Sequence, residues 1–200
     1  MRHLPNILTF ARFLLVPCFL IASMQHWYTA AFVLFVTAAV TDIFDGLIAR
    51  RMNLRSRLGA LLDPAADKTL MVAGFIYYTL ATDLPVKAIP GWLTFAVFIR
   101  DFLIAVTAYL MYTRVQITRF PPSIAGKAST VLQAITLAAV VAANGFLPGL
   151  ARPVEVLFRV SLLITLYSGW GYLRRAAVLM RNDRGDEAQD RRGGDAIPQA

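Results

Sequence analysis

Residues 42–68 read DIFDGLIARRMNLRSRLGALLDPAADK. Four carboxylates, Asp42, Asp45, Asp63 and Asp67, stand in two apolar runs separated by a short basic turn. A carboxylate inside a membrane segment is costly and marks function before it marks stability. Asp42, Asp45 and Ala49 recur at i, i+3 and i+7, one face of a helix. Gly59, Asp63 and Asp67 recur at i, i+4 and i+8, again one face. Two antiparallel helices joined through Arg51–Leu58 would bring these faces together. Unpaired like charges that close raise one another's pKa. Hard divalent cations remove the conflict, and oxygen ligands suit Mg²⁺ or Mn²⁺. The alternative is a set of salt bridges to Arg50, Arg51 or Lys68. Gly46, Ala49 and Gly59 argue against it, because small residues beside the acids leave room for a ligand against the helix backbones.

Composition fits that setting. Hydrophobic residues make up 58% of the 200 and charged residues 16%, and mean hydropathy is +0.58, so the chain reads as an integral membrane protein. Its apolar stretches are long and continuous, which excludes the alternation of a β-barrel. Six helices of about 20 residues would use most of the chain. The expected fold is therefore an all-α bundle of six transmembrane helices, opened by a short interfacial turn.

The segments fall at about 4–23, 27–50, 58–82, 90–113, 124–146 and 153–180. Arg12 and Pro17 interrupt the first, and no small-residue cleavage site is clear, so it is kept in the mature chain. Its first turn is amphipathic and suits the membrane surface. Pro64 falls in the first turns of the third segment, where a missing N–H costs least. The lone cysteine, Cys18, reads as a small packing residue. Residues 1–182 form one membrane domain. Residues 183–200, rich in Arg, Asp and Gly, read as a disordered cytoplasmic tail.

Arg50, Arg51, Arg55, Arg57, Arg114, Arg119 and Lys127 crowd the turns on one side, with Arg174, Arg175 and Arg181 at the end of the last segment. The opposite connections hold only Lys87 and Arg152. The positive-inside rule then puts both termini and the acidic motif in the cytoplasm. The expected location is a bacterial inner membrane. The net charge of +8 suits an anionic lipid surface, and no nucleic-acid partner is expected.

The pattern D-x2-D-G-x2-A-R-x8-G-x3-D-x3-D resembles the signature of the CDP-alcohol phosphatidyltransferases. Asp42, Asp45, Gly46, Ala49, Arg50, Gly59, Asp63 and Asp67 match its fixed positions. Weaker similarity runs over about residues 4–180. The resemblance implies a homodimeric six-helix membrane enzyme with two Mg²⁺ or Mn²⁺ ions. It would move a phosphatidyl group from CDP-diacylglycerol to an alcohol and release CMP. Asp42, Asp45 and Asp63 would then be metal ligands. Asp67 would act as the base and also touch a metal. Gly46, Ala49, Arg50 and Gly59 would form the nucleotide site. The run Pro5, Asn6, Thr9, Arg12 resembles the family's start, which places Asn6 and Arg12 near lipid phosphate.

Arg100 and Lys127 are candidates for an acceptor phosphate, against a local pair with Asp101 and simple snorkelling respectively. The run through residue 68 resembles both phosphatidylglycerophosphate synthases and CDP-alcohol-type cardiolipin synthases. The glycerophosphate enzymes usually carry further cations near the positions of Ala108 and Ser129, which this chain lacks. The reading leans to phosphatidylglycerol as acceptor, with glycerol 3-phosphate as the alternative. An ion transporter is the remote alternative. It would need a polar path across the whole membrane, whereas the acids cluster on one side.

Overall fold

The computed structural model describes residues 4–52, 57–114 and 124–194; side chains of residues 4–13, 42–67, 108, 110–114, 175–176 and 178–194 lie outside the description. Among the described residues there are six α-helices and no strand. They are α1 (Leu4–Met24), α2 (Tyr28–Met52), α3 (Arg57–Leu80), α4 (Gly91–Arg114), α5 (Ile124–Gly145) and α6 (Ala151–Gly194), with a 3₁₀ turn at Pro148–Leu150. The first five match the expected segments within about two residues at each end. Among the described residues, α5 alone is long and apolar enough to cross a membrane by length and composition.

Three sequence expectations are corrected. Residues 183–194, expected as a disordered tail, continue α6 as helix; residues 195–200 lie outside the described residues. Glu187, Ala188, Gln189, Arg191 and Arg192 favour helix, and Glu187 precedes Arg191 by four residues, a spacing that supports it. Cys18 is exposed rather than packed. Pro64 is the eighth residue of α3, past the first turn, so it has no N–H to give the Ala60 carbonyl.

The chain divides into two compact units, residues Met1–Thr94 with Leu132–Arg159, and Phe95–Val131 with Val160–Ala200. In the first unit α1 packs on α2 and α3. Phe19, Phe35 and Tyr78 meet there, with ring centroids 5.9 and 6.3 Å from Phe19. The Tyr78 hydroxyl lies 3.2 Å from Ser23 Oγ, which satisfies a buried phenol. Gly74 lets α3 approach α5, because a Cβ there would lie 2.5 Å from Leu137 Cδ2.

The end of α1 is a Schellman cap. Trp27 N–H donates to the Ala22 carbonyl (2.8 Å) and His26 N–H to that of Ser23 (3.1 Å). His26 takes the left-handed position, φ 59°, that glycine usually fills. Its ring compensates. Nδ1 lies 2.8 Å from the Tyr28 hydroxyl and Nε2 lies 3.2 Å from Asp83 Oδ2.

Asn144 fixes the connection between α3 and α4. Its Oδ1 accepts from the Val86 and Lys87 amides (2.9 and 3.0 Å). Its Nδ2 donates to the Lys87 and Val140 carbonyls (2.7 and 2.9 Å). Lys87 Nζ in turn donates to Glu155 Oε1 near the start of α6.

Candidate functional site

The acidic motif occupies the facing ends of two consecutive helices. Asp42, Asp45, Gly46, Ala49 and Arg50 are on α2, and Gly59, Asp63 and Asp67 are on α3. The helical state that their spacing required is present in both halves. Asp42 lies ten residues before the Met52 end of α2, and Asp67 ten residues after the Arg57 start of α3. Asp45 and Asp63 lie seven and six residues from the same ends. At about 1.5 Å per residue, Asp42 and Asp67 each lie about 15 Å along their own helix from the connecting turn, and Asp45 and Asp63 about 10 Å. The donor set is four oxygen-bearing acids with no sulfur or imidazole, which suits a hard divalent cation. The side chains of these eight residues, and those of Asn6 and Arg12 on α1, lie outside the described residues.

The second unit carries a different kind of site. Arg100 on α4 is 6% exposed, and each nitrogen of its guanidinium has a protein acceptor. Nη1 donates to Asp101 Oδ1 at 2.8 Å. Nη2 donates to the Gly126 carbonyl at 3.2 Å and to Ser168 Oγ at 2.8 Å. Nε donates to the same Ser168 oxygen at 3.3 Å. The pair with Asp101, weighed in the sequence as the alternative to phosphate binding, is therefore present. Burying an arginine demands such partners. Lys127, in the first turn of α5, is exposed.

In the same unit, Ser129 is 1% exposed, and its Oγ lies 3.1 Å from Thr165 Oγ1. Thr130 Oγ1 donates to the Gly126 carbonyl that also receives Arg100. Ser161, Thr165, Ser168 and Tyr172 are all buried on α6 at spacings of four, three and four. Sequence reasoning missed this polar stripe. The spacing was visible, but small hydroxyls in an apolar helix cost little and carry no charge, so they gave no signal by themselves.

Paired acids at the adjoining ends of two consecutive helices are the arrangement that the signature over residues 42–67 requires. Residues 2–168 match the family described as CDP-alcohol phosphatidyltransferase, and the chain belongs to that family. It is a CDP-alcohol phosphatidyltransferase of phospholipid synthesis, in a family that is membrane-associated and dependent on divalent metal. A Mycobacterium tuberculosis protein named "Probable phosphatidylglycerophosphate synthase" is 34% identical over 184 residues, covering 87% of this chain and 81% of the relative. A Bacillus subtilis protein named CDP-diacylglycerol--glycerol-3-phosphate 3-phosphatidyltransferase is 30% identical over 191 residues, covering 88% and 95%. A Mycobacterium bovis protein named "Putative cardiolipin synthase" is 38% identical over 130 residues, covering 63% and 58%.

Proposed function

We propose that this enzyme transfers the phosphatidyl group of CDP-diacylglycerol to glycerol 3-phosphate and releases CMP. The observation that carries the acceptor is coverage. The relatives named for glycerol 3-phosphate or for phosphatidylglycerophosphate align over more than four fifths of both chains. This reverses the lean towards phosphatidylglycerol drawn from the missing cations near Ala108 and Ser129. Ser129 is packed against Thr165 in the interior of its unit, so the absence of a lysine there follows from packing and says little about the acceptor. Phosphatidylglycerol remains the second reading, favoured by the higher identity of the shorter match.

In the reaction, the acceptor hydroxyl oxygen attacks the phosphorus that carries diacylglycerol. The bond from that phosphorus to the CMP phosphate oxygen breaks as the new P–O bond forms. Asp67 takes the hydroxyl proton. A carboxylate is a weak base for an alcohol, so the acceptor's placement must assist it. Asp42, Asp45 and Asp63, with Asp67, would hold two divalent cations, Mg²⁺ or Mn²⁺. Bound there, the cations would neutralise the pyrophosphate and the leaving phosphate. Gly46, Ala49 and Gly59 leave space for the nucleotide, and Arg50 balances phosphate charge. Arg100 and Lys127 hold the acceptor's phosphate. Asn6 and Arg12 lie near the lipid phosphate. A direct displacement leaves no covalent enzyme.

The same reading includes six membrane spans with both termini and the acidic motif cytoplasmic, in a bacterial inner membrane, and a homodimer. Helix length supports the spans, since α1 to α5 have 21 to 25 residues each and about 20 suffice. Exposed Trp92 and Tyr109 stand seventeen residues apart on α4, about 26 Å of helix, as interfacial aromatics would. Single cysteines at Asn53 and Val86 in a Cys18→Ser background test the orientation. An impermeant thiol reagent on intact cells should label position 86 and spare 53.

The acceptor is tested with purified enzyme, labelled CDP-diacylglycerol, and both acceptors at equal concentration in the same micelles. Phosphatidylglycerophosphate is the expected product. Cardiolipin as the sole product would overturn the acceptor and leave the phosphatidyl transfer standing.

A further inference from the structure

We propose that Ser168 is a positioning residue for the acceptor site, acting by fixing the orientation of the Arg100 guanidinium. This rests on the acceptor-phosphate role given to Arg100 above. Ser168 is 1% exposed, and its Oγ receives two N–H groups from one arginine, Nε at 3.3 Å and Nη2 at 2.8 Å. Two donors on one edge of a planar guanidinium, converging on a single oxygen, fix the rotation of that plane. A contact to one nitrogen would leave it free to turn.

The other partners of Arg100 do different work. Asp101 is its neighbour on the same helix and supplies countercharge through Nη1. Gly126 contributes a backbone carbonyl, which no side-chain replacement removes, and shares it with Thr130. Ser168 is the side chain that reaches the Nε–Nη2 edge from another helix. It is neutral, so replacing it changes the orientation of Arg100 without changing the charge of the cluster. Next to it, a Cβ at Gly169 would lie 3.6 Å from Arg100 Cγ, an ordinary contact, so the backbone of α6 lies directly against the arginine stem.

A planar donor set binds phosphate well only when its N–H groups point at the oxygens. An Arg100 that keeps its charge but loses its orientation should bind the acceptor less well and leave CDP-diacylglycerol binding alone. The test compares Ser168→Ala, Ser168→Cys and Ser168→Thr with Arg100→Lys and the Arg100→Lys/Ser168→Ala pair. Cysteine keeps the volume but accepts hydrogen bonds weakly, so it covers the case in which the alanine variant does not fold. Threonine retains the hydroxyl.

Steady-state KM is measured for glycerol 3-phosphate, or for phosphatidylglycerol if the product assay selects it, and for CDP-diacylglycerol. The expected result is an acceptor KM raised roughly three- to tenfold in Ser168→Ala and Ser168→Cys, less than the loss of a whole hydrogen bond to a charged group because Arg100 keeps its charge. CDP-diacylglycerol KM should be unchanged, Ser168→Thr should restore the acceptor KM, and the double variant should be no worse than Arg100→Lys. If Arg100→Lys leaves the acceptor KM unmoved, the acceptor role of Arg100 is wrong and the role of Ser168 falls with it. If Arg100→Lys raises it but the Ser168 variants do not, the positioning role alone is overturned. Equal rises in both KM values, or additive effects in the double variant, overturn it as well.

Discussion

The acidic ends of α2 and α3 and the cluster around Arg100 both place charge in strongly apolar helices, and they are assembled in opposite ways. The acids are four like charges within one stretch, Asp42 to Asp67, on two consecutive helices. Arg100 is a single cation, and its acceptors come from residues 1, 26 and 68 positions away. A cluster of like charges needs something from outside the chain to hold it together. A cation surrounded by a carboxylate, a carbonyl and a hydroxyl is held in one orientation by the protein before any ligand arrives. On the proposed reading, the first arrangement serves to bind cations, and the second to hold a charged group in a fixed orientation. The two regions should therefore respond differently to the loss of a charge.

The largest effect is expected at Asp67. Asp67→Asn preserves shape and removes a base, so CMP release at saturating metal should fall by about 10²–10⁴. Nucleotide binding should persist. Near wild-type turnover would show that another group takes the proton.

Arg100→Met is expected to cost about 3 kcal/mol of stability, because it removes the countercharge beside a mostly buried Asp101 carboxylate and the donors to the buried Ser168 hydroxyl. Denaturation in detergent measures this. A variant as stable as wild type would mean that Arg100 is held by its partners without contributing to the fold.

Asn144→Ala offers a neutral counterpart. It removes four hydrogen bonds and exposes the α3–α4 connection, so a loss of about 2–3 kcal/mol is expected. Specific activity per folded molecule should be retained. A drop in turnover without a drop in the melting temperature would tie this connection to catalysis.

Asp45→Asn should do the reverse of Arg100→Met when metal is chelated. Removing one of four repelling carboxylates should leave the melting temperature unchanged or raise it by the equivalent of up to about 1 kcal/mol. A clear loss of stability in EDTA would mean that the acids are paired within the protein, and the contrast between the regions would collapse.

The smallest effect concerns His26. His26→Gly relieves a left-handed conformation but loses the contacts to Tyr28 and Asp83, whereas His26→Ala loses the contacts and keeps the strain. Glycine should therefore be the more stable of the two variants by about 1 kcal/mol. Equal melting temperatures would indicate that the cap geometry is not maintained in the variants.

The sequence alone determined the helices and the acidic motif. Long apolar runs broken by Pro, Gly and charged turns located α1 to α5, and the residues per helical turn fixed which acids share a face, whatever the helices pack against. It misjudged residues 183–194, because a polar, charged composition is compatible with a helix as well as with a tail. It could not reveal the cap at His26, since histidine is not the residue that usually marks a left-handed position. It named Arg100 and offered Asp101 beside it, but it had no means of finding Gly126 or Ser168. Those contacts depend on how α4, α5 and α6 meet within one unit. That meeting is set by side-chain packing summed over many residues, and no local spacing encodes it. The chemistry of the acids is written along the chain because neighbouring turns of one helix carry it. The orientation of Arg100 is decided only when three helices close around it.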